Sequence, residues 1–185
     1  TPLWEWDHFA VVRSGTTITV YKNGASVGTA TNSSTFSGSF YIGAEYYNSA
    51  IGGSPFKGYL ADVRIVKGTA VYTSNFTPVT SPLTAISGTS LLTCQSNRFI
   101  DNSSNNFSFT ITGSVAVQRF SPFNPTASYD TATIGGSGYF DGSGDYLTLA
   151  NNSAFLFGSS NWTIEFWINP PDNIFICHCF SNSRR

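Results

Sequence analysis

Glutamates are scarce in this chain of 185 residues: Glu5, Glu45 and Glu165 are the only three. Glycoside hydrolysis needs two carboxyl groups about 5–9 Å apart across the sugar. Glu5 and Asp7 are two residues apart, which places both on one face of a strand, where they read as solvated acids at a strand edge. There is no GxSxG turn, and the two histidines, His8 and His178, build no Ser/His/Asp set. Cys177 and Cys179 share one face of an extended segment with His178 opposite. Zinc wants four converging ligands, usually from spaced Cys pairs, and the distant Cys94 does not complete such a set. The chain is expected not to be an enzyme.

Binding chemistry has more to work with. Asp62, Asp141 and Asp145 are candidate oxygen ligands for a hard cation such as Ca²⁺, which takes six to eight oxygens. Asp141 also reads as a turn former ahead of Gly142. Tyr46, Tyr47 and Asn48 lie in AEYYNSAIGGSP, expected to be a loop between strands. A tyrosine ring beside an amide suits a sugar, offering a face to stack on and groups for its hydroxyls. Six N-x-S/T triplets begin at Asn32, Asn75, Asn102, Asn106, Asn151 and Asn161. In a chain one-third Ser, Thr and Asn several arise by chance, so they carry little weight.

The elements that must position these residues are strands. Charged residues are 10 % of the chain, net charge is −1 and aromatics are 16 %. Nine thinly spread basic residues give no footprint for nucleic acid or an anionic membrane. The aromatic content argues against disorder. No apolar run is long enough to span a bilayer, so membrane insertion is not expected. TPLWEWDHFA at the N-terminus shows no signal-peptide pattern, and three cysteines give no disulfide framework.

Period-two alternation recurs along the chain and helical periodicity does not. TTITVYKNGASVGTA, residues 16–30, is a hairpin turning on Asn23-Gly24. In GYLADVRIV, residues 58–66, Tyr59, Ala61, Val63 and Ile65 are expected on one face, with Asp62 and Arg64 on the other. Residues 73–90, with two prolines among Ser and Thr, read as a connector. YFDGSGDYLTLA, residues 139–150, reads as a second hairpin. NWTIEFWIN sets Trp162, Ile164, Phe166 and Ile168 against Thr163, Glu165 and Trp167. About ten short strands without a helix mean a sandwich or jelly roll. Its expected core is Phe9, Val11, Ile18, Val20, Ile42, Val63, Ile65, Leu147, Leu149, Ile164 and Phe166.

FDGSGDYLTLANNSAFLFGSSNWTIEFWINP, residues 140–170, resembles the opening half of a laminin-G-like, concanavalin-A-like jelly roll. WDHFAVVRSGTTITVYKNGASVGTA, FYIGA and residues 58–80 resemble its closing half. RIVKGTAVYTSNFTP and SLLTCQSNRFIDNSSNN are similar to modules strung in tandem in bacteriophage structural and tail-associated proteins. The closing half (residues 1–85, with the connector) precedes the opening half (90–170), and residues 171–185 form an unassigned tail. The chain is therefore expected to be an antiparallel two-sheet sandwich, circularly permuted or strand-exchanged, or a cut through a tandem array. If the halves pair within one chain, residues 162–168 should neighbour residues 9–13.

The resemblance implies a non-catalytic structural or adhesion module of an extracellular or virion surface, with copies of itself or neighbouring modules as partners. The alternative is a lectin-like module for surface glycans. No cofactor is required, although members of the family often hold one structural calcium. Hydrolases of the family keep three alternating acids on one strand, and no such run occurs here. The tail is expected to complete a neighbour's sheet by strand addition, with at least one sheet edge left open.

Overall fold

The computed structural model describes residues 5–36, 39–47, 50–51, 55–123, 136–171 and 180–182; of residues 46, 47, 50 and 180–182 it describes the backbone only. Among the described residues there are fourteen strands: β1 (Asp7–Ser14), β2 (Thr17–Lys22), β3 (Ala25–Thr31), β4 (Phe40–Ile42), β5 (Tyr46–Tyr47), β6 (Ala50–Ile51), β7 (Lys57–Lys67), β8 (Thr89–Thr93), β9 (Phe109–Thr112), β10 (Ala116–Gln118), β11 (Ser137–Asp141), β12 (Tyr146–Leu149), β13 (Trp162–Asn169) and β14 (Phe180–Asn182). A short 3₁₀ turn at Ser153–Phe155 is capped by the Asn152 side chain, which accepts from the Ala154 N–H.

Twelve of the strands form two antiparallel sheets, and β5 and β6 pair with each other apart from them. The larger runs β10-β11-β7-β13-β1-β2-β3, with β8 pairing β7 beyond the end of β11; the smaller runs β14-β4-β12-β9. The sequence halves interleave within one chain. β13 lies between β1 and β7, with Phe9 opposite Phe166 and Val11 opposite Ile164. This is the neighbour relation that the resemblance implied for residues 9–13 and 162–168 if the halves pair within one chain.

Core and connector follow from side-chain type. Phe9, Ile42, Val63, Ile65, Leu147, Leu149 and Phe166 are buried between the sheets, and Val11, Ile18, Val20 and Ile164 pack partly buried against them. Burying one such large apolar side chain is worth about 1.5–3 kcal/mol. Residues 69–86 form a strap over the other face of the large sheet. There Ala70, Tyr72 and Phe76 pack on Ala10, Val12 and Tyr21, and the Tyr72 and Phe76 rings stack 3.6 Å apart.

The Asn23-Gly24 turn forms as expected, both residues with positive φ (49° and 78°) as a type I′ turn requires. Two other expectations fail. Residues 139–150 are not a hairpin: β11 pairs β7 and β10 while β12 pairs β4 and β9, so the glycine-rich turn arches from one sheet to the other. The face of β7 changes midway. Arg64 opposes Glu165 and Ala61 opposes Trp167, leaving Asp62 and Val63 across from one residue. That is a β-bulge, with Asp62 at φ 48°. It turns Leu60 into the core, while Tyr59 meets Trp6, Phe120 and Tyr139 on the opposite side.

Residues 46–51 are not a plain loop, because β5 and β6 pair with Tyr46 opposite Ile51. Within the tail, β14 pairs β4 of its own chain, so this piece extends its own smaller sheet. Cys177, His178 and Cys179 lie outside the described residues.

Candidate functional site

The acids with most to offer chemically sit under or beside the strap. Glu165, in the middle of β13, is fully buried. Its Oε1 accepts from Arg64 Nε at 2.8 Å and lies 2.6 Å from Arg64 NH2; its Oε2 accepts from the Tyr72 hydroxyl at 2.7 Å. His8 Nε2 stands 3.5 Å from Oε2, with its ring edge-on to Tyr72, Phe76 and Trp167. Burial alone would push the Glu165 carboxyl up; the His8 imidazole, the Arg64 guanidinium and the Tyr72 hydroxyl outweigh it and hold the group below its ordinary value. Tyr72 shifts upward, through burial first and then the charge of Glu165.

This cluster ties the strap to the sheet along its length. The Val71 N–H donates to Thr163 Oγ1 at 2.9 Å, and that hydroxyl donates to the Thr69 carbonyl at 3.1 Å. Arg64 NH1 donates to the Thr84 carbonyl at 2.7 Å, and the Leu83 N–H donates to Asp62 Oδ1 at 2.9 Å.

Asp62 is buried, and its Oδ1 also accepts from Gln95 Nε2, while Oδ2 is buried with no hydrogen-bond partner. Burial pushes its carboxyl up to about 7 against the bonds from Gln95 and Leu83, with smaller opposed influences from Glu165 and Arg64.

Asp141 and Asp145 come together at the β11–β12 arch. Asp145 is fully buried; its Oδ2 accepts from the Asp141 N–H at 2.8 Å and its Oδ1 from the Ser114 N–H. Asp141 Oδ1 accepts from the Ser143 N–H at 2.6 Å, the turn-forming role open to it from sequence. Asp62 does not join them, being bonded to Leu83 and Gln95 instead. Among the described residues no three His, Cys, Asp or Glu side chains gather as a metal-binding group. Tyr46 and Tyr47 form β5, and Asn48 lies outside the described residues.

Sequence reasoning missed two carboxylates. Glu165 was placed on a strand face without a partner, since Arg64 is 101 residues away in the chain. Asp101 was not singled out at all. It is buried, with Oδ1 accepting from the Leu92 and Ser103 N–H groups and Oδ2 from Ser103 Oγ and the Phe107 N–H. The Asp-x-Ser spacing of Asp101 and Ser103 is an Asx-turn signal that could have flagged it. Each of these buried carboxylates holds loop or strap groups in place.

The structure is an all-β sandwich of two antiparallel sheets. A laminin-G family model, of the concanavalin A-like lectin/glucanases superfamily, matches residues 1–71, which carry β1 to β7 and the start of the strap. No curated protein and no solved structure matches the chain. No helix among the described residues is long and apolar enough to cross a membrane. The match supports a binding or structural module.

Proposed function

We propose that this chain is a non-catalytic structural and adhesion module of an extracellular assembly, such as a virion or filament, working beside copies of itself or neighbouring modules. One observation carries the reading. The acids able to do chemistry, Glu165, Asp62, Asp145 and Asp101, are buried and engaged with the strap and loops. Such acids stiffen a shell instead of meeting a substrate. The thinly charged, hydroxyl-rich composition suits a part packed among others. The insertion of β13 between β1 and β7 supports reading the halves as one jelly roll in permuted order. Neither nucleic acid nor membrane is a partner in this reading.

A second reading is a lectin-like glycan module using Tyr46, Tyr47 and Asn48, with calcium beside Asp141 and Asp145. The hairpin at β5–β6, which bears the two tyrosines, favours it. A glycan array with and without chelator, run beside sedimentation over a concentration series, tests both. Concentration-dependent assembly without saturable sugar binding supports the first. Saturable binding supports the second, and chelator sensitivity would add the calcium. Release of reducing ends from a glucan would overturn both.

A further inference from the structure

We propose that the free edge of β3 is a homotypic docking surface, on which a second copy of this chain lays its own β3 antiparallel. The proposal rests on the assembly reading above and names its surface. Among the described residues β3 ends the larger sheet and pairs only β2, and all seven of its own residues are exposed. Edges of this kind are normally blunted by charge or proline. Here no charged residue and no proline occurs between Ser26 and Ala44.

Among the described residues, protection is confined to one end. The Asn75 side chain accepts from the Ser26 N–H at 3.0 Å, and the Phe76 N–H donates to the Gly24 carbonyl at 2.9 Å. At the other end the Asn32 N–H donates inward, to the Thr16 carbonyl at 2.8 Å. Antiparallel ladders alternate, so Ala30 also faces β2, while Thr29 and Thr31 aim their N–H and C=O groups outward.

The segment Thr29-Ala30-Thr31 is symmetric about its centre. A two-fold axis through Ala30 sets Thr29 of one copy against Thr31 of the other. Each threonine then both donates and accepts a backbone hydrogen bond, and the two alanines face one another. No side chain in this stretch exceeds threonine in size, and no like charges meet across the axis. The same patch serves both subunits, as a closed two-fold contact requires. An uncharged edge offers nothing to select an acidic or basic peptide, and its symmetry favours its own copy.

Sedimentation equilibrium of the full chain and of Thr29→Pro and Thr31→Lys tests this. Proline at residue 29 deletes an outward N–H and leaves the β2 ladder whole. Both variants should keep the wild-type circular dichroism and melting curve while the dimer dissociation constant rises at least about tenfold. If the proline variant does not fold, the lysine variant decides. Ala30→Cys should cross-link copies under oxidation well beyond the wild-type level, and Ala25→Cys should not. Dimers insensitive to folded variants at residues 29 and 31, but lost on deleting residues 171–185, would overturn the β3 surface and leave the assembly reading standing. A full chain monomeric at high concentration would overturn both.

Discussion

Replacing Asp62 by Asn should change how the stability of the protein depends on pH. Buried at the β7 bulge, the carboxyl is raised from 3.8 to about 7, chiefly by desolvation. Its folded value therefore exceeds its unfolded one. The stabilisation from holding it protonated is complete below about 3.8 and vanishes as pH rises through 7. At about 1.4 kcal/mol per pKa unit, the full swing is roughly 4 kcal/mol, of which about 2–3 kcal/mol falls between pH 5 and pH 8. Asn keeps an acceptor for the Leu83 and Gln95 donors, carries no charge, and tolerates the positive φ of this position. Its new N–H₂ takes the place of an unpartnered oxygen, which costs about 1–3 kcal/mol at every pH. Urea unfolding of both proteins at several pH values reads the effect as the difference between the two stability curves. D62N should gain about 2–3 kcal/mol on wild type between pH 5 and pH 8. Parallel stability curves over that interval would refute the buried-charge account of the bulge.

Glu165→Ala should destabilise the fold by about 3–5 kcal/mol in chemical denaturation, since it strands the buried Arg64 charge. Glu165 is held below its ordinary value, so its stabilisation is complete above that value and is lost as pH falls through the folded one; Glu165→Gln should lack this acid-side loss in a pH titration of stability. Gly24→Ala would place a Cβ 1.8 Å from the Phe76 carbonyl oxygen at a positive φ, and should lower stability by about 2 kcal/mol or more. The Cys94 thiol, pushed up to about 12 by burial, should react with a thiol reagent only on unfolding, measured with Cys177 and Cys179 both replaced by Ser.

The legible parts of the fold were those set by neighbours in sequence. Alternation located β2, β7 and β13, the resemblance supplied β1, and the Asn-Gly turn fixed the first hairpin. Local pattern failed where a distant partner decided the outcome. An extra residue at Asp62 reverses the faces of β7, and period-two reading has no term for a bulge whose opposing residue, Phe166, lies on another strand. The arch after β11 was mistaken for a hairpin because a glycine-rich turn looks the same whether its flanking strands pair or part. Of Asp62, Asp141 and Asp145, grouped in the sequence as oxygen ligands, only the turn-forming role of Asp141 was legible locally. Glu165 was not readable as a hub, since Arg64, His8 and Tyr72 reach it from other parts of the chain.

The place of β13 between β1 and β7 sets the order of folding. The segment matched by the family model carries both flanking strands but not the one that joins them, so during synthesis two long edges must wait for residues 162–169 to emerge. Joining strands so far apart in sequence requires closing a long loop before any pairing rewards it, and such topologies fold in milliseconds to seconds instead of microseconds. Through that interval β1 and β7 offer unpaired backbone to any passing strand. The step most exposed to misassembly is therefore the arrival of the Trp162–Asn169 strand, and a chaperone or neighbouring chain that shields those edges would raise the yield without touching the finished protein.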